Sequence, residues 1–322
     1  MKSRLSRREF MRFSAGLLVS SLLPACGQTV KRSQVHGTRE ITPTVEINVK
    51  VLADGLDFPE GPAFDLEGNL WCTELGAGNL VRWSEGKVER IPTQGRPNGL
   101  SFDRQGRAWV CDSGQNSIRR YTPETGVWKT IVDNIDGLPL QSPNDLAFDR
   151  DGNLVFTCPN FADTRSTGYV CCLKPDQSIH KIAEGLYRPN GLDFLPGGEE
   201  LVIADTYQKS LFKGDWDAAK CDWKNEGIWA DVDGAEGPDG MVPCADGMLY
   251  VAVFGLGVIK ALDANGKLVN SYSLPGNNPT NVAVDPSGKL GLVVTEAEKG
   301  LLLSLPDIKP GVAVCDGGEA WP

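Results

Sequence analysis

The sequence predicts an all-β protein, a single six-bladed β-propeller with four-stranded blades spanning residues 45–322. Three observations carry this reading. A turn phrase recurs along the chain, a proline followed by an oxygen-bearing residue stands just before each copy, and the composition is rich in turn formers, with 37 Gly and 21 Pro in 322 residues. Self-similarity at a fixed period of this length is the signature of a repeat architecture and decides against two ordinary domains.

The turn phrase is an apolar residue, an acid, two free positions and a glycine, followed by a short apolar strand. It reads Phe64-Asp65-Leu66-Glu67-Gly68-Asn69-Leu70-Trp71, then Phe102-Asp103-Arg104-Gln105-Gly106-Arg107-Ala108-Trp109, then Phe148-Asp149-Arg150-Asp151-Gly152-Asn153-Leu154-Val155. Weaker copies follow at Phe194 to Gly198, around Asp246-Gly247 and from Val284 to Leu290. Each is a hairpin between two strands, with glycine supplying the positive φ of the turn. The repeats start 38 to 49 residues apart, the length of a four-stranded blade. One blade cannot cover both faces of its sheet, so six close in a circle. The strand-like stretch Val45 to Leu52 is expected to complete the last one.

Before each turn stands Pro59-Glu60, Pro97-Asn98, Pro143-Asn144, Pro189-Asn190, Pro238-Asp239 or Pro279-Thr280. Proline is tolerated at a strand start, and the strand entering this hairpin is the innermost one of a blade, so six equivalent residues converge on one axis. Two explanations compete. Polar channel residues can bond water or cap turns, since Pro-Asn-Gly and Pro-Asp-Gly are common turn tripeptides. Alternatively, two carboxylates with neutral amide oxygens form a hard-cation site. Glu60 and Asp239 favour the second explanation, because two like charges confined to one channel repel unless a cation sits between them.

Residues 1–25 read as a twin-arginine lipoprotein signal peptide. Arg7-Arg8-Glu9-Phe10 precedes an apolar run from Phe13 to Leu23 that is too short for a transmembrane helix, and Leu23-Pro24-Ala25-Cys26 resembles a lipobox with Cys26 as the lipidated residue. Residues 26–44 are a flexible tether. The expectation is export by the twin-arginine route and a periplasmic or cell-envelope location, with the membrane met through the lipid anchor only. Removing residues 1–25 leaves 27 basic against 41 acidic residues, a balance of −14. Nucleic acid is thereby excluded as an expected partner, whereas a cation site is compatible. Eight cysteines remain after Cys26 without CxxC spacing, so no zinc-binding cysteine cluster is expected. Disulfides are permitted, but buried thiols in apolar strands are the commoner outcome.

At the Pro-Glu60, Asn-Gly and Asp-Gly phrases the chain resembles the gluconolactonase and regucalcin (senescence marker protein) family, which also includes luciferin-regenerating-enzyme-like members. The resemblance extends from about Leu52 to Glu296. It implies a calcium-dependent six-bladed propeller in which Glu60 (Pro59-Glu60-Gly61-Pro62), Asn190 (Pro189-Asn190-Gly191-Leu192-Asp193) and Asp239 (Pro238-Asp239-Gly240-Met241) bind the metal. It implies also that Asn144, in Ser142-Pro143-Asn144-Asp145, touches substrate or metal, and it is taken as a substrate contact. Two departures stand out. Ser142 occupies a slot where regucalcin-like members carry a substrate-holding arginine, while Arg96 and Arg188 stand two residues before Asn98 and Asn190. Cys158 stands where many relatives have Asp.

With only His36 and His180 present, a Ser-His-Asp triad or a histidine dyad is disfavoured, and chemistry falls to carboxylate and metal. The expectation is a lactone hydrolase acting on a small-molecule lactone or sugar-acid substrate. A divalent cation, calcium first with zinc, magnesium or manganese as alternatives, polarises the carbonyl. Asp239, or another mouth acid such as Asp205, takes the proton from water. Asn98, Asn144, Arg96 and Arg188 are the expected substrate contacts. Glu74, Asp112 and Asp205 end second strands, where a structural role is expected. Trp71 and Trp109 read as inter-blade packing, and Phe254 and Tyr207 as residues of loops near the pocket. The competing classes are a non-catalytic lipid-tethered binding propeller and a strictosidine-synthase-like enzyme.

Overall fold

The structure, a computed structural model, describes residues 44–161, 163, 165–311 and 321. The signal segment and the lipidation candidate Cys26 lie outside the described residues. No helix occurs among those described. Each blade is an antiparallel meander, and the first strands of successive blades contact one another around the ring.

Blade one runs through Pro59–Phe64, Leu70–Glu74, Asn79–Ser84 and Lys87–Pro92. Blade two runs through Pro97–Phe102, Ala108–Asp112, Ser117–Thr122 and Val127–Val132. A two-stranded hairpin, Asn134–Ile135 with Leu138–Pro139, leads into blade three, made of Leu146–Phe148, Leu154–Cys158, Gly168–Leu173 and Ile179–Leu186. Blade four comprises Pro189–Phe194, Glu200–Asp205, Ser210–Asp217 and Asp222–Asp231. Blade five comprises Gly237–Pro243, Leu249–Phe254, Val258–Leu262 and Leu268–Ser273.

Blade six closes the ring with both ends of the propeller. Pro279–Val284, Leu292–Glu296 and Leu301–Leu305 are completed by Lys50–Ala53, which pairs antiparallel with Leu301–Leu305. The expectation for Val45 to Leu52 therefore needs dividing. Thr44–Val45 pairs in parallel with the outer strand of blade five, Thr44 against Ser271 and Val45 against Tyr272, and only the later residues belong to blade six.

Where the recurring acid is present, in blades one, two, three and six, it shapes the hairpin between the first two strands. Asp65 Oδ1 accepts from the Glu67 and Asn69 amides at 3.1 and 2.8 Å, and Asp103 and Asp149 do the same in blades two and three. The second oxygen takes an indole: Trp71 Nε1 donates to Asp65 and Trp109 Nε1 to Asp103, at 2.8 and 2.7 Å. Trp216, one blade further on, donates across to Asp149 at 2.9 Å. Trp71 lies against Phe102 and Trp109 against Phe148, each on the next blade, as inter-blade packing requires. Cys172 and Cys221 form a disulfide between blades three and four, while Cys72, Cys111, Cys158, Cys171 and Cys244 are buried free thiols.

Candidate metal centre

The first strands begin at one end of the ring, and there the ladder to the second strand is interrupted. Register shifts fall between Glu60 and Ala63, Pro97 and Leu100, Pro189 and Leu192, Pro238 and Met241, and Pro279 and Asn281. In blade three pairing begins only at Leu146. Irregular pairing re-aims side chains that a regular pleat would send alternately to neighbouring blades. Glu60, Asn98, Asn144, Asn190, Asp239 and Thr280 are all buried there.

Five of these six keep polar atoms available. The side-chain amides of Asn98 and Asn144 make no hydrogen bond to a described residue, yet neither is sealed from the channel space. Thr280 departs from the expected ring. Its hydroxyl donates to the Pro59 carbonyl at 2.8 Å and lies 2.8 Å from Thr295 Oγ1, so it joins blade six to blade one. Thr73, Thr157 and Thr206 serve the same purpose elsewhere, donating to the carbonyls of Asn98, Asn190 and Pro238 on the following blade at 2.7 to 2.8 Å.

Thr206 also orients Asn190. Its proton goes to Pro238, so it accepts from Asn190 Nδ2 at 3.2 Å. With Nδ2 thus engaged, Asn190 Oδ1 is left as an acceptor without a donor among the described residues.

A second layer escaped the sequence reading. Asp145 and Asn281, each one residue past its blade's ring position, lie on blades three and six, and Asn281 Nδ2 donates to Asp145 Oδ2 at 3.1 Å. Those blades face each other across the ring, so this bond spans the channel. Glycine holds the equivalent place in the other four blades, and the reason is steric. A Cβ at Gly99 would stand 2.5 Å from Asp145 Oδ1 and 2.8 Å from the Asn144 carbonyl, and one at Gly240 would overlap the Asn281 amide. Further along blade four, Asp193 accepts from the Phe194 amide at 2.8 Å. The available signal was the pattern of four glycines against one Asp and one Asn at the position after the ring residue.

Electrostatics join these acids. Burial, then the charges of Asp239 and Asp145, raise the Glu60 carboxyl well above the ordinary range. Burial and Asp145 likewise raise Asp239, against hydrogen bonds from Asn190 and Gly240 and the nearby charge of Arg188. Burial pushes Asp145 up to about 6 and Asp193 to about 7. Asp193 still borders some open space, but the enclosing protein decides its protonation more than that gap does.

Around the mouth, acids ending the second strands fasten the loops that lead into the ring. Asp205 accepts from the amides of Tyr187, Arg188 and Gln208 and from Gln208 Nε2, so its oxygens are occupied in anchoring the loop, the structural role expected of an acid ending a second strand. Asp112 holds the Arg96 amide and pairs with Arg119, Glu74 holds the Asp57 amide and pairs with Arg90, and Glu296 holds the Asn278 amide. In blade three, where Cys158 replaces such an acid, Asn116 Oδ1 from blade two takes the Ser142 amide at 2.9 Å. Arg96 is exposed, its stem packed on Gly114. Arg188 is half-buried, its Cζ 4.6 and 4.5 Å from the ring centroids of Phe161 and Tyr207. Phe254 stacks with Phe58.

Among the described residues no three His, Cys, Asp or Glu groups converge tightly enough to cage an ion by themselves. A cation would need the amide oxygen as well. Two buried carboxylates whose protonation is forced up by burial and acidic neighbours, beside an undonated amide oxygen, fit a hard divalent ion. No Lys or Arg pairs with them within ion-pair distance among the described residues.

Fold and site together define an acid-lined six-bladed propeller with an oxygen-donor centre at one mouth of its channel. A family model described as the SMP-30/Gluconolactonase/LRE-like region matches residues 58–298, and the chain belongs to that family. It is 30% identical over 192 residues to a gluconolactonase of Zymomonas mobilis, covering 52% of this chain and 54% of that protein. It is 26% identical over 255 residues to lactonase drp35 of Staphylococcus saprophyticus, covering 76% and 78%. A solved gluconolactonase from Xanthomonas campestris superposes with a TM-score of 0.71 at 27% identity, over 80% of this chain and 89% of that one. The chain spans about half the length of the first curated relatives it matches.

Proposed function

We propose that the protein is a metal-dependent hydrolase of a small lactone, gluconolactonase-like, working at the channel mouth. The observation that carries this reading is the meeting of Glu60 and Asp239, both buried and forced toward protonation, with the free Oδ1 of Asn190. Glu60, Asn190 and Asp239 would hold a divalent cation, calcium first, with zinc, magnesium or manganese as alternatives. When bound, it supplies Lewis-acid polarisation of the lactone carbonyl.

The chain's own residues do the rest. Asn98 and Asn144 hold the substrate through amides that no described residue occupies. Thr206 keeps Asn190 turned so that its oxygen faces the site. Asp239 accepts a proton from water at a carboxylate oxygen as the water adds to the carbonyl. It returns that proton to the ring oxygen as the acyl–oxygen bond breaks, and an open hydroxy acid results. Phe58, which precedes the Pro59-Glu60 pair, stacks on Phe254 of blade five.

We place the mature protein at the cell envelope, exported through the twin-arginine segment and tethered through Cys26. Mass spectrometry of the membrane fraction would detect the acylated N-terminus, and recovery of unmodified full-length chain from the cytoplasm would refute that placement. For the activity, calorimetry with the four cations and a pH-stat screen of aldonolactones and simple γ-lactones form the test. Asp239→Ala and Asp239→Asn should lose both calcium binding and turnover. Full lactonase rate in either variant would overturn the assignment.

A further inference from the structure

Arg188 is a cation in an unusual setting for a protein whose acids outnumber its bases. It stands two residues before Asn190, close enough to Asp239 for the two charges to act on each other. Among the described residues no carboxylate lies within ion-pair distance of its guanidinium, and Nη1 donates to Tyr207 Oη at 2.7 Å. The remaining N–H groups have no acceptor among the described residues, and none is sealed from open space.

Two aromatic rings cover this guanidinium. Tyr207 comes from the second-to-third-strand loop of blade four, a loop of ordinary length. Phe161 comes from the corresponding loop of blade three, which spans nine residues between Cys158 and Gly168 where the other blades use three or four. The longer loop thus brings a ring against Arg188. With Nη1 turned to Tyr207 and a second ring beside Cζ, the N–H groups left to a ligand are those of Nε and Nη2, which together form the edge that pairs with a planar anion through two parallel hydrogen bonds.

We propose that Arg188 is a specificity-determining residue, and that the lactone taken by this site carries a free carboxylate that docks on its guanidinium edge while the reacting carbonyl sits at the acid ring. This rests on the lactonase reading above and sharpens its substrate class from lactones in general to acidic lactones.

The test compares γ-glucarolactone, which bears a carboxylate, with γ-gluconolactone, which bears a hydroxymethyl group in its place. A charge-assisted pair of this kind is worth roughly 10- to 100-fold in affinity. Wild-type kcat/KM should favour the acidic lactone by at least about tenfold, mostly through KM, and Arg188→Met should bring the ratio to about one. Arg188→Lys, which keeps charge and stem but not the fork, should lower the ratio at least about threefold, and serves where the Met variant folds poorly. Titration of glucarate into the wild type and Arg188→Met reads the same subsite without turnover, so an absence of hydrolysis would count against the lactonase reading while leaving this comparison intact. Equal affinity of the wild type and Arg188→Met for glucarate, or an unchanged lactone preference in Arg188→Met, would overturn the assignment.

Discussion

Replacing Asp193 by Asn is the sharpest test of how the channel is built. In the folded protein burial pushes this carboxyl up to about 7 from an ordinary 3.8, with the charge of Asp145 adding to the effect. The sign follows from proton counting. Below about pH 4 both folded and unfolded chains hold the proton and the group contributes nothing. Between about 4 and 7 the folded chain holds a proton that the unfolded chain has lost, so stability falls as pH rises, and above about 7 the full cost of a buried anion is present. The rise from 3.8 to about 7 corresponds to up to about 4 kcal/mol. Asp193→Asn keeps an oxygen to accept from the Phe194 amide and removes the charge. Urea unfolding of both proteins with EDTA present, at intervals from pH 4 to 9, should give equal stabilities near pH 4 and a variant more stable by up to about 4 kcal/mol at pH 8.5. A difference that does not change with pH, or a variant less stable throughout, would refute the burial argument.

Other outcomes follow from the same structure. Calcium at a hundred times its Kd should stabilise the wild type by about 2.7 kcal/mol, raising Tm by roughly 5–10 °C in differential scanning calorimetry, and Glu60→Gln should abolish that increment. Thr280→Val should cost about 1–3 kcal/mol through the orphaned Pro59 carbonyl, while calcium affinity by calorimetry stays within about twofold; loss of calcium binding would restore Thr280 to the ligand ring. Gly99→Ala should cost about 1–3 kcal/mol in urea unfolding and impair turnover, because the added methyl must displace Asp145 or the Asn144 backbone. A Gly99→Ala protein with wild-type stability and rate would show that the close approach of blades two and three has slack.

The ring of oxygen donors was legible because position within a repeat is preserved when blades close in a circle: residues after each first-strand proline must meet at one end of one axis. Glu60, Asn98, Asn144, Asn190 and Asp239 meet that expectation as buried residues of the channel mouth. Thr280 obeyed the same rule of position and failed in chemistry, since its hydroxyl found the Pro59 carbonyl of the adjoining blade, a partner 221 residues away in sequence. Asp145 and Asn281 were hidden for a related reason. A residue following Pro-Asn or Pro-Thr reads as part of a local turn, and its real neighbour lies on the opposite blade.

Composition, period and turn chemistry were enough for the fold, because a blade is a local object: its hairpins form within 38 to 49 residues, and the turn acids cap amides two and four positions away. The outer edge was different. Thr44–Val45 went to blade five and Lys50–Ala53 to blade six, a choice settled by which sheet edges lay open once the ring had closed. The oxygen types at the channel mouth were likewise written in the repeats. Only the tertiary structure decided which oxygens remain available there, because availability depends on partners from other blades: Thr206 turning Asn190, Asn281 holding Asp145, and Phe161 reaching from a long loop to cover Arg188.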